Sequence, residues 1–133
     1  MKFVIPDNVT AEQIGKARIS LYLRGANTGI SSVKWVIYYV NDDSWKESEI
    51  TFNNKPSLGY EIIQVPSIST PDENIQIRLT EAVKTEIGKD RILTIAIDGD
   101  VASQKGDATF YSKENTINTD FIPQQYYHLI RMK

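Results

Sequence analysis

The sequence predicts an all-β protein, a jelly-roll-like antiparallel β-sandwich with one short helix in a connection. Short apolar segments recur along the chain with turn-forming residues between them, which is typical of a sandwich or a barrel. Several of these segments alternate apolar and polar residues, as half-buried strands do. Residues 80–88 give the one convincing helical pattern, with Thr80 as a candidate N-cap and Gly88 at the expected end.

Residues 17–24 have the clearest strand pattern, because apolar and polar residues alternate strictly. One face of this predicted strand carries the apolar side chains Ala17, Ile19, Leu21 and Leu23. The other face carries the polar and basic side chains Arg18, Ser20, Tyr22 and Arg24. Residues 25–29 contain two glycines and are predicted to form a loop.

Residues 33–40 are mostly β-branched or aromatic, which predicts a further strand. The predicted inward face carries Val36, Tyr38 and Val40, and the opposite face carries Trp35, Ile37 and Tyr39. Both faces are apolar, which leaves two interpretations. Either the strand is central and a loop or the helix covers its second side, or that side is an exposed aromatic platform.

The rest of the chain continues the pattern of short strands. Further strands are predicted at residues 60–65, 74–79, 91–97, 107–111 and 126–132, with a proline-containing loop at residues 66–72. Within residues 74–79, Ile75, Ile77 and Leu79 are expected to face inward. No internal repeat or linker is visible, so residues 1–133 are expected to form a single module.

Composition excludes several classes of site. The chain has 133 residues, a formal net charge of −2, no cysteine and one histidine, His128. Disulfides, thiolate catalysis, cysteine-ligated zinc and multi-histidine metal sites are therefore excluded. The net charge provides no bulk electrostatic footprint for nucleic acid, and no apolar run approaches the roughly 20 residues of a membrane helix. No signal peptide is visible at the start.

Residues 42–56, "DDSWKESEITFNNKP", combine a tryptophan, several charges and a turn-forming end. Trp45 and Phe52 bracket a short polar stretch, as expected where the chain leaves one sheet and enters the other. This predicts a structural corner with buried aromatic side chains. The alternative uses carboxylates of this segment as acid and base in glycoside cleavage. Those carboxylates are Asp42, Asp43, Glu47 and Glu49.

Four pieces occur in an order that resembles the DNRLRE-type domain, also called carbohydrate-binding module family 96. They read "ARISLYLR", "VIYYVNDDSWKESEITFNNKPSLG", "LTEAVKTEIGKDRILTIAI" and "DATFYSKEN" followed by a proline. The resemblance spans residues 2–123. Members of this family are appended to alginate lyases and other secreted or surface proteins, which implies a secreted or cell-surface location and a catalytic domain in the same parent chain.

Family domains usually begin with additional strands that this sequence lacks. We therefore expect residues 1–133 to be a fragment of a longer multidomain protein. An edge strand left unpaired by the missing strands would favour self-association.

The resemblance and the strand faces together predict a non-catalytic module that binds an acidic polysaccharide, alginate-like or glycosaminoglycan-like. Aromatic rings stack on the C–H groups of sugars, and arginine forks bind carboxylate or sulfate at two points. The predicted carbohydrate contacts are Trp35, Tyr39, Tyr22, Arg18, Arg24 and Lys113. For the arginines, an ordinary solvated strand face is the alternative.

Two other functions remain open. A structural spacer or adhesion domain could use the same sandwich without a glycan site. A small hydrolase or lyase would need His128, an arginine or tyrosine, and a carboxylate in one cleft; otherwise His128 is expected to pack. No cofactor is expected. Residues 42–43 and 98–100 offer oxygen ligands of the kind that calcium prefers, but neither completes a calcium loop, so a structural calcium is possible and not assigned.

Overall fold

The computed structural model describes residues 1–26, 35–65, 74–99, 108–110 and 123–129. Its strands are β1 (Lys2–Val4), β2 (Ile14–Ala26), β3 (Trp35–Val40), β4 (Glu61–Val65), β5 (Asn74–Arg78), β6 (Ile92–Gly99), β7 (Ala108–Phe110) and β8 (Gln124–Leu129). One α-helix, α1 (Thr80–Ile87), joins β5 to β6, and a 3-10 turn at Ala11–Gln13 precedes β2.

The strands form two antiparallel sheets. The first sheet has the order β1-β6-β3-β4. In the second, β2 lies at the centre, with β5 along one edge and both β7 and β8 along the other. The chain passes between the sheets repeatedly, and side chains from both sheets meet in one core. The predicted all-β sandwich with one short connecting helix is confirmed.

The alternation predicted for β2 is confirmed, and it determines which side of the second sheet faces the core. Its four apolar side chains are all buried, and they are Ala17, Ile19, Leu21 and Leu23. Facing them from the first sheet are Phe3, Ile37, Tyr39, Leu93 and Ile95. The polar side chains of β2 therefore lie on the outer side of the second sheet.

The two faces of β3 are the reverse of those predicted. Tyr39 belongs to the core between the sheets and is only 5% exposed, and Trp35 lines a small apolar cavity there. Val36 and Val40 are buried on the outer side, where residues 41–60 cover Val40. β3 is thus a central strand covered by a loop, and the predicted exposed platform is wrong. Alternation separates the faces, but two apolar faces give no local signal of which one packs inward.

Residues 41–60 join two adjacent strands of the same sheet, so the predicted crossing between sheets is wrong. Trp45 is half-buried beneath the Lys2 ammonium, which lies 4.8 Å from its ring centre. Phe52 is 81% exposed, with the Lys55 ammonium 4.1 Å from its ring centre. The segment works as a cover over the outer side of the first sheet rather than as a corner.

Strand ends differ from prediction in the second sheet. Gly25 and Ala26 continue β2 instead of starting a loop, because they pair with β7. β8 begins at Gln124, two residues before the predicted start. The predicted loops at residues 27–29 and 66–72 lie outside the described residues.

The helix begins where predicted but without the predicted cap. Thr80 is the first helical residue, and its hydroxyl accepts a hydrogen bond from the Ala17 N–H at 3.1 Å. The Leu79 N–H in turn donates to the Ala17 carbonyl oxygen at 2.9 Å. Thr80 therefore joins the helix to β2 rather than capping it. No helix in the described part of the chain has the length and apolar composition to span a membrane.

The helix does not end with a left-handed glycine. Gly88 follows the last helical residue in a right-handed conformation, with φ −77°. The left-handed residue comes later, at Arg91, with φ 63°. Its N–H donates to the Glu86 carbonyl oxygen, and its guanidinium donates to the Pro6 and Val9 carbonyl oxygens, each at 2.9 Å. These contacts hold a conformation that costs a non-glycine residue roughly 1–3 kcal/mol.

Candidate functional site

The outer side of the second sheet carries positive charge, and its described strands contain no acidic residue. None of the four strands β2, β5, β7 and β8 contains an aspartate or glutamate, although acidic residues outnumber basic ones in the whole chain. We call the outward side chains of three of these strands the basic face. They are Lys16, Arg18, Tyr22 and Arg24 of β2, Asn74, Gln76 and Arg78 of β5, and Tyr126 and His128 of β8.

Strand register places three of these side chains in one row across the sheet. Arg18 lies directly opposite Arg78 on one side and directly opposite Tyr126 on the other. The Arg18 guanidinium carbon is 5.0 Å from the centre of the Tyr126 ring, within the range of a cation–π contact. Within the described residues, the ion pairs join Lys46 to Glu49 and Lys89 to Glu86, so neither arginine is neutralised by a carboxylate.

A shallow depression of about 420 Å³ lies along β2 and β8 on this face. It is lined by Lys16, Arg18, Tyr126, Tyr127 and His128. His128 is exposed there, so the expectation that it packs is wrong, because alternation in β8 turns Tyr127 inward instead. Histidine, arginine and tyrosine thus meet in one depression. No carboxylate is among the described residues that line it. The hydrolase or lyase interpretation needs a carboxylate beside the histidine and the arginine or tyrosine, and the described lining does not supply one.

A second depression, of about 490 Å³, lies around the edge of the sandwich between β4, β5 and α1. Lys16 and Arg78 line it together with Tyr60. Tyr60 is about half exposed, and its ring stacks on Tyr39 with centres 4.9 Å apart and planes at 16°. Glu61 and Glu81 also line this depression, so its charge is mixed.

The six predicted carbohydrate contacts do not come together as one group. Arg18, Tyr22 and Arg24 share the basic face, as the β2 pattern predicts. The side chains of Trp35 and Tyr39, which belong to β3 of the first sheet, point into the core between the two sheets. Lys113 lies outside the described residues. The burial of Tyr39 in the core contradicts its predicted glycan contact, whereas contacts by Trp35 and Lys113 stay predictions.

Six residues of the basic face were not among the predicted carbohydrate contacts. They are Lys16, Asn74, Gln76, Arg78, Tyr126 and His128. A signal for Arg78 was present, since the predicted inward positions 75, 77 and 79 leave residue 78 outward. Its position opposite Arg18 depends on the pairing of β2 with β5, which alternation within one strand cannot give.

Asp42 and Glu49 are engaged by neighbours in their own loop. Asp42 accepts hydrogen bonds from the Ser44 N–H at 2.8 Å and the Ser44 hydroxyl at 2.6 Å. These bonds hold the pKa of Asp42 below its usual value. Glu49 pairs with Lys46 at 3.1 Å. Acid–base cleavage of a glycoside needs two opposed carboxylates, and the described contacts of these two are with serine and lysine instead.

Asp43 belongs to a different group, with Glu86 of α1 and Asp90 of the following turn. Each of the three supplies a carboxylate oxygen, and these oxygens lie within 4.8 Å of one another. Burial is the main cause that raises the pKa of both Asp43 and Glu86. The Ile92 N–H is the main cause that lowers the pKa of Asp90, and it donates to the Asp90 carboxylate at 3.0 Å.

Two comparisons relate this chain to known proteins. The family model described as "Carbohydrate-binding module family 96" matches residues 1–122. A protein named "Gellan lyase" from Bacillus sp. is 32% identical over 114 residues, which make up 84% of this chain. The chain spans only 4% of the length of that curated relative.

Proposed function

The chain belongs to carbohydrate-binding module family 96, and on that basis we propose that it binds an acidic polysaccharide through its basic face without catalysing any reaction. The observation that carries the proposal is the register of Arg18 opposite Arg78. Like charges that face each other on paired strands destabilise a sheet by up to about 1 kcal/mol. An anion bound between the two guanidinium groups would remove that repulsion.

The chemistry of the face fits a chain of uronic acid sugars. Each guanidinium can donate two parallel hydrogen bonds to one carboxylate, which makes it a stronger and more specific partner than a lysine ammonium. Tyr126 adds an aromatic surface beside Arg18, suited to the C–H groups of a sugar ring. Lys16 and Arg24 extend the positive charge along β2 in both directions from Arg18.

The benefit of such a module is the concentration of an attached enzyme near its polymer. Tethering converts the second encounter into an intramolecular one, so catalysis improves without a new catalytic group. The named activity of the gellan lyase relative supports a parent protein that degrades polysaccharide, and with it a secreted or surface location. The same likeness makes gellan one of the polymers to test.

Retardation in native gels tests the proposal. The gels contain alginate, gellan, pectin, a glycosaminoglycan, xylan or no polymer, and the proteins are the parent chain, Arg18→Gln and Arg78→Gln. Lys46→Gln is the control, because it removes the same charge from the cover on the other sheet. We expect an acidic polymer to retard the parent and the control, with a roughly tenfold to hundredfold loss of affinity in either arginine variant.

Three outcomes would contradict the proposal. Equal mobility of the folded parent in every gel would favour a structural spacer or adhesion domain. An equal loss of retardation in Lys46→Gln would indicate a non-specific charge effect instead of a site. New ultraviolet absorbance from unsaturated sugar ends would show that the chain catalyses β-elimination.

A further inference from the structure

We propose that Asp43, Glu86 and Asp90 form a calcium site that fastens the cover of residues 41–60 to the end of α1. The three carboxylates reach one point from two distant parts of the chain, with oxygens within 4.8 Å of one another. This site is separate from the basic face, and the proposal does not depend on polysaccharide binding.

A buried oxygen without a partner points to a missing ligand. Glu86 is only 2% exposed, and its Oε2 has no hydrogen-bond partner among the described residues. Its other oxygen, Oε1, accepts the hydroxyl hydrogen of Tyr39. Leaving a charged acceptor buried and unsatisfied is costly, so such atoms in native proteins call for an explanation such as an ion.

The two neighbouring ammonium groups donate their hydrogen bonds to other oxygens, and one of them also forms a long ion pair with Glu86. The Lys2 ammonium donates to the backbone carbonyl oxygens of Asp43 and Trp45. The Lys89 ammonium donates to the Tyr39 hydroxyl and the Asn41 side-chain oxygen, each at 3.2 Å, and stands 4.0 Å from Glu86 Oε1. Two peripheral lysines therefore face three carboxylates, and the centre of the group retains negative charge.

The remaining contacts leave oxygens available to a cation. The Thr94 hydroxyl donates to Asp43 Oδ1, and the Ile92 N–H donates to Asp90 Oδ1. Each of these carboxylates has a second oxygen, and an engaged oxygen still has a lone pair to offer.

The donor set selects calcium among common metal ions. It contains only oxygens, which suits hard cations and not zinc or copper. Magnesium is usually held through one or two carboxylates and several waters in strict octahedral geometry. Calcium accepts six to eight oxygens in flexible geometry, and three carboxylates with a few waters would supply them.

Calcium dependence of unfolding tests the site. The protein is stripped with EDTA and dialysed, and its Tm and heat of binding are measured with CaCl₂ and with MgCl₂. We expect CaCl₂ to raise the Tm by roughly 5–15 °C at a hundredfold excess over Kd. Asp43→Asn and Asp90→Asn should abolish this shift, while each retains an oxygen to accept from Thr94 or Ile92. Glu81→Gln, in the exposed first turn of α1, should retain it.

A second readout does not depend on unfolding. Tb³⁺ occupies calcium sites and emits when a nearby aromatic ring is excited, and the Tyr39 hydroxyl is bonded to Glu86. We expect Tb³⁺ emission in the parent and in Glu81→Gln, displaced by Ca²⁺ and lost in Asp90→Asn.

Several results would overturn the proposal. A parent chain with the same Tm in EDTA and in CaCl₂, and no heat of binding, would mean that the carboxylates share a proton instead. A calcium response that persists in both Asn variants would place the ion elsewhere. An equal response to MgCl₂ would refute the choice of calcium. Arg18→Gln should keep the full calcium response, so this proposal and the polysaccharide proposal fail independently.

Discussion

Arg18 holds its guanidinium carbon 5.0 Å from the centre of the Tyr126 ring, across the pairing of β2 with β8. The two side chains come from strands more than a hundred residues apart in sequence. They combine the charge and the aromatic surface that an acidic sugar chain needs.

We predict that binding to an acidic polysaccharide weakens as salt rises, and that Arg18→Gln reduces the slope of that dependence. Tyr126→Leu should weaken binding by roughly fivefold while it leaves the slope unchanged, because stacking is not screened by ions. Retardation in alginate gels at several NaCl concentrations measures both quantities. An unchanged slope in Arg18→Gln would mean that Arg18 does not contact the polysaccharide.

We predict that Arg78→Gln makes the unliganded domain more stable while it weakens polysaccharide binding. Arg78 lies opposite Arg18, and relief of this repulsion is worth about 0.2–1 kcal/mol. Urea unfolding at low salt measures the gain, which should shrink in 1 M NaCl. In Arg18→Gln the further change Arg78→Gln should give no gain, and a gain that persists there would refute the repulsion.

We predict that Gly59→Ala destabilises the domain by about 1–3 kcal/mol. A Cβ at this position would stand 2.5 Å from the Tyr39 carbonyl oxygen, which is backbone and cannot rotate away. The Gly59 N–H also donates to that oxygen at 2.8 Å. Urea unfolding of the purified variant gives the change.

Gly88→Ala is the matched control for that change. Its added Cβ would meet the Thr85 carbonyl oxygen at an ordinary 3.4 Å, and the φ of −77° suits alanine. We expect a neutral effect or a gain of up to about 1 kcal/mol, because alanine restricts the unfolded chain. Equal losses in both variants would mean that steric contact at Gly59 is not the cause.

We predict that Tyr39→Phe destabilises the domain by about 1–3 kcal/mol at neutral pH in EDTA. The variant keeps the buried ring but removes the hydroxyl that donates to Glu86, leaving that carboxylate less satisfied. Tyr60→Phe is the control, because its half-exposed ring stacks on Tyr39 and should change stability by less than about 0.5 kcal/mol. Thermal unfolding of both variants measures the difference. Similar Tm values in the two variants would mean that the Tyr39 hydroxyl does not stabilise the domain.

The face of a strand on which each side chain lies was predictable from the order of residues. Alternation in β2 assigned Ile19 and Leu21 to the core and Arg18 to the outer side, because a pleated strand turns successive side chains to opposite faces. β5 follows the same rule, with Ile77 buried and Arg78 exposed. These statements need no information about neighbouring strands.

Which of two apolar faces packs inward was not predictable, and β3 demonstrates the reason. Trp35 and Tyr39 face the second sheet because of how the sheets stack, while the cover of residues 41–60 lies over the opposite face. Both faces have similar hydrophobicity, so the free energy that selects between them comes from long-range packing. The same packing buries Tyr39 and turns Phe52 out to solvent.

Both candidate sites combine local and long-range information. The alternation of residues along β2 was enough to predict a strand face with basic side chains. The sequence also shows the carboxylates, but not that any of them lie together. Strand register brought Arg78 opposite Arg18, and the packing of α1 against β2 and β6 brought Glu86 and Asp90 to Asp43. Residue order encodes which side a group occupies because backbone geometry is local, whereas the meeting of groups distant in sequence depends on the packing of the whole domain.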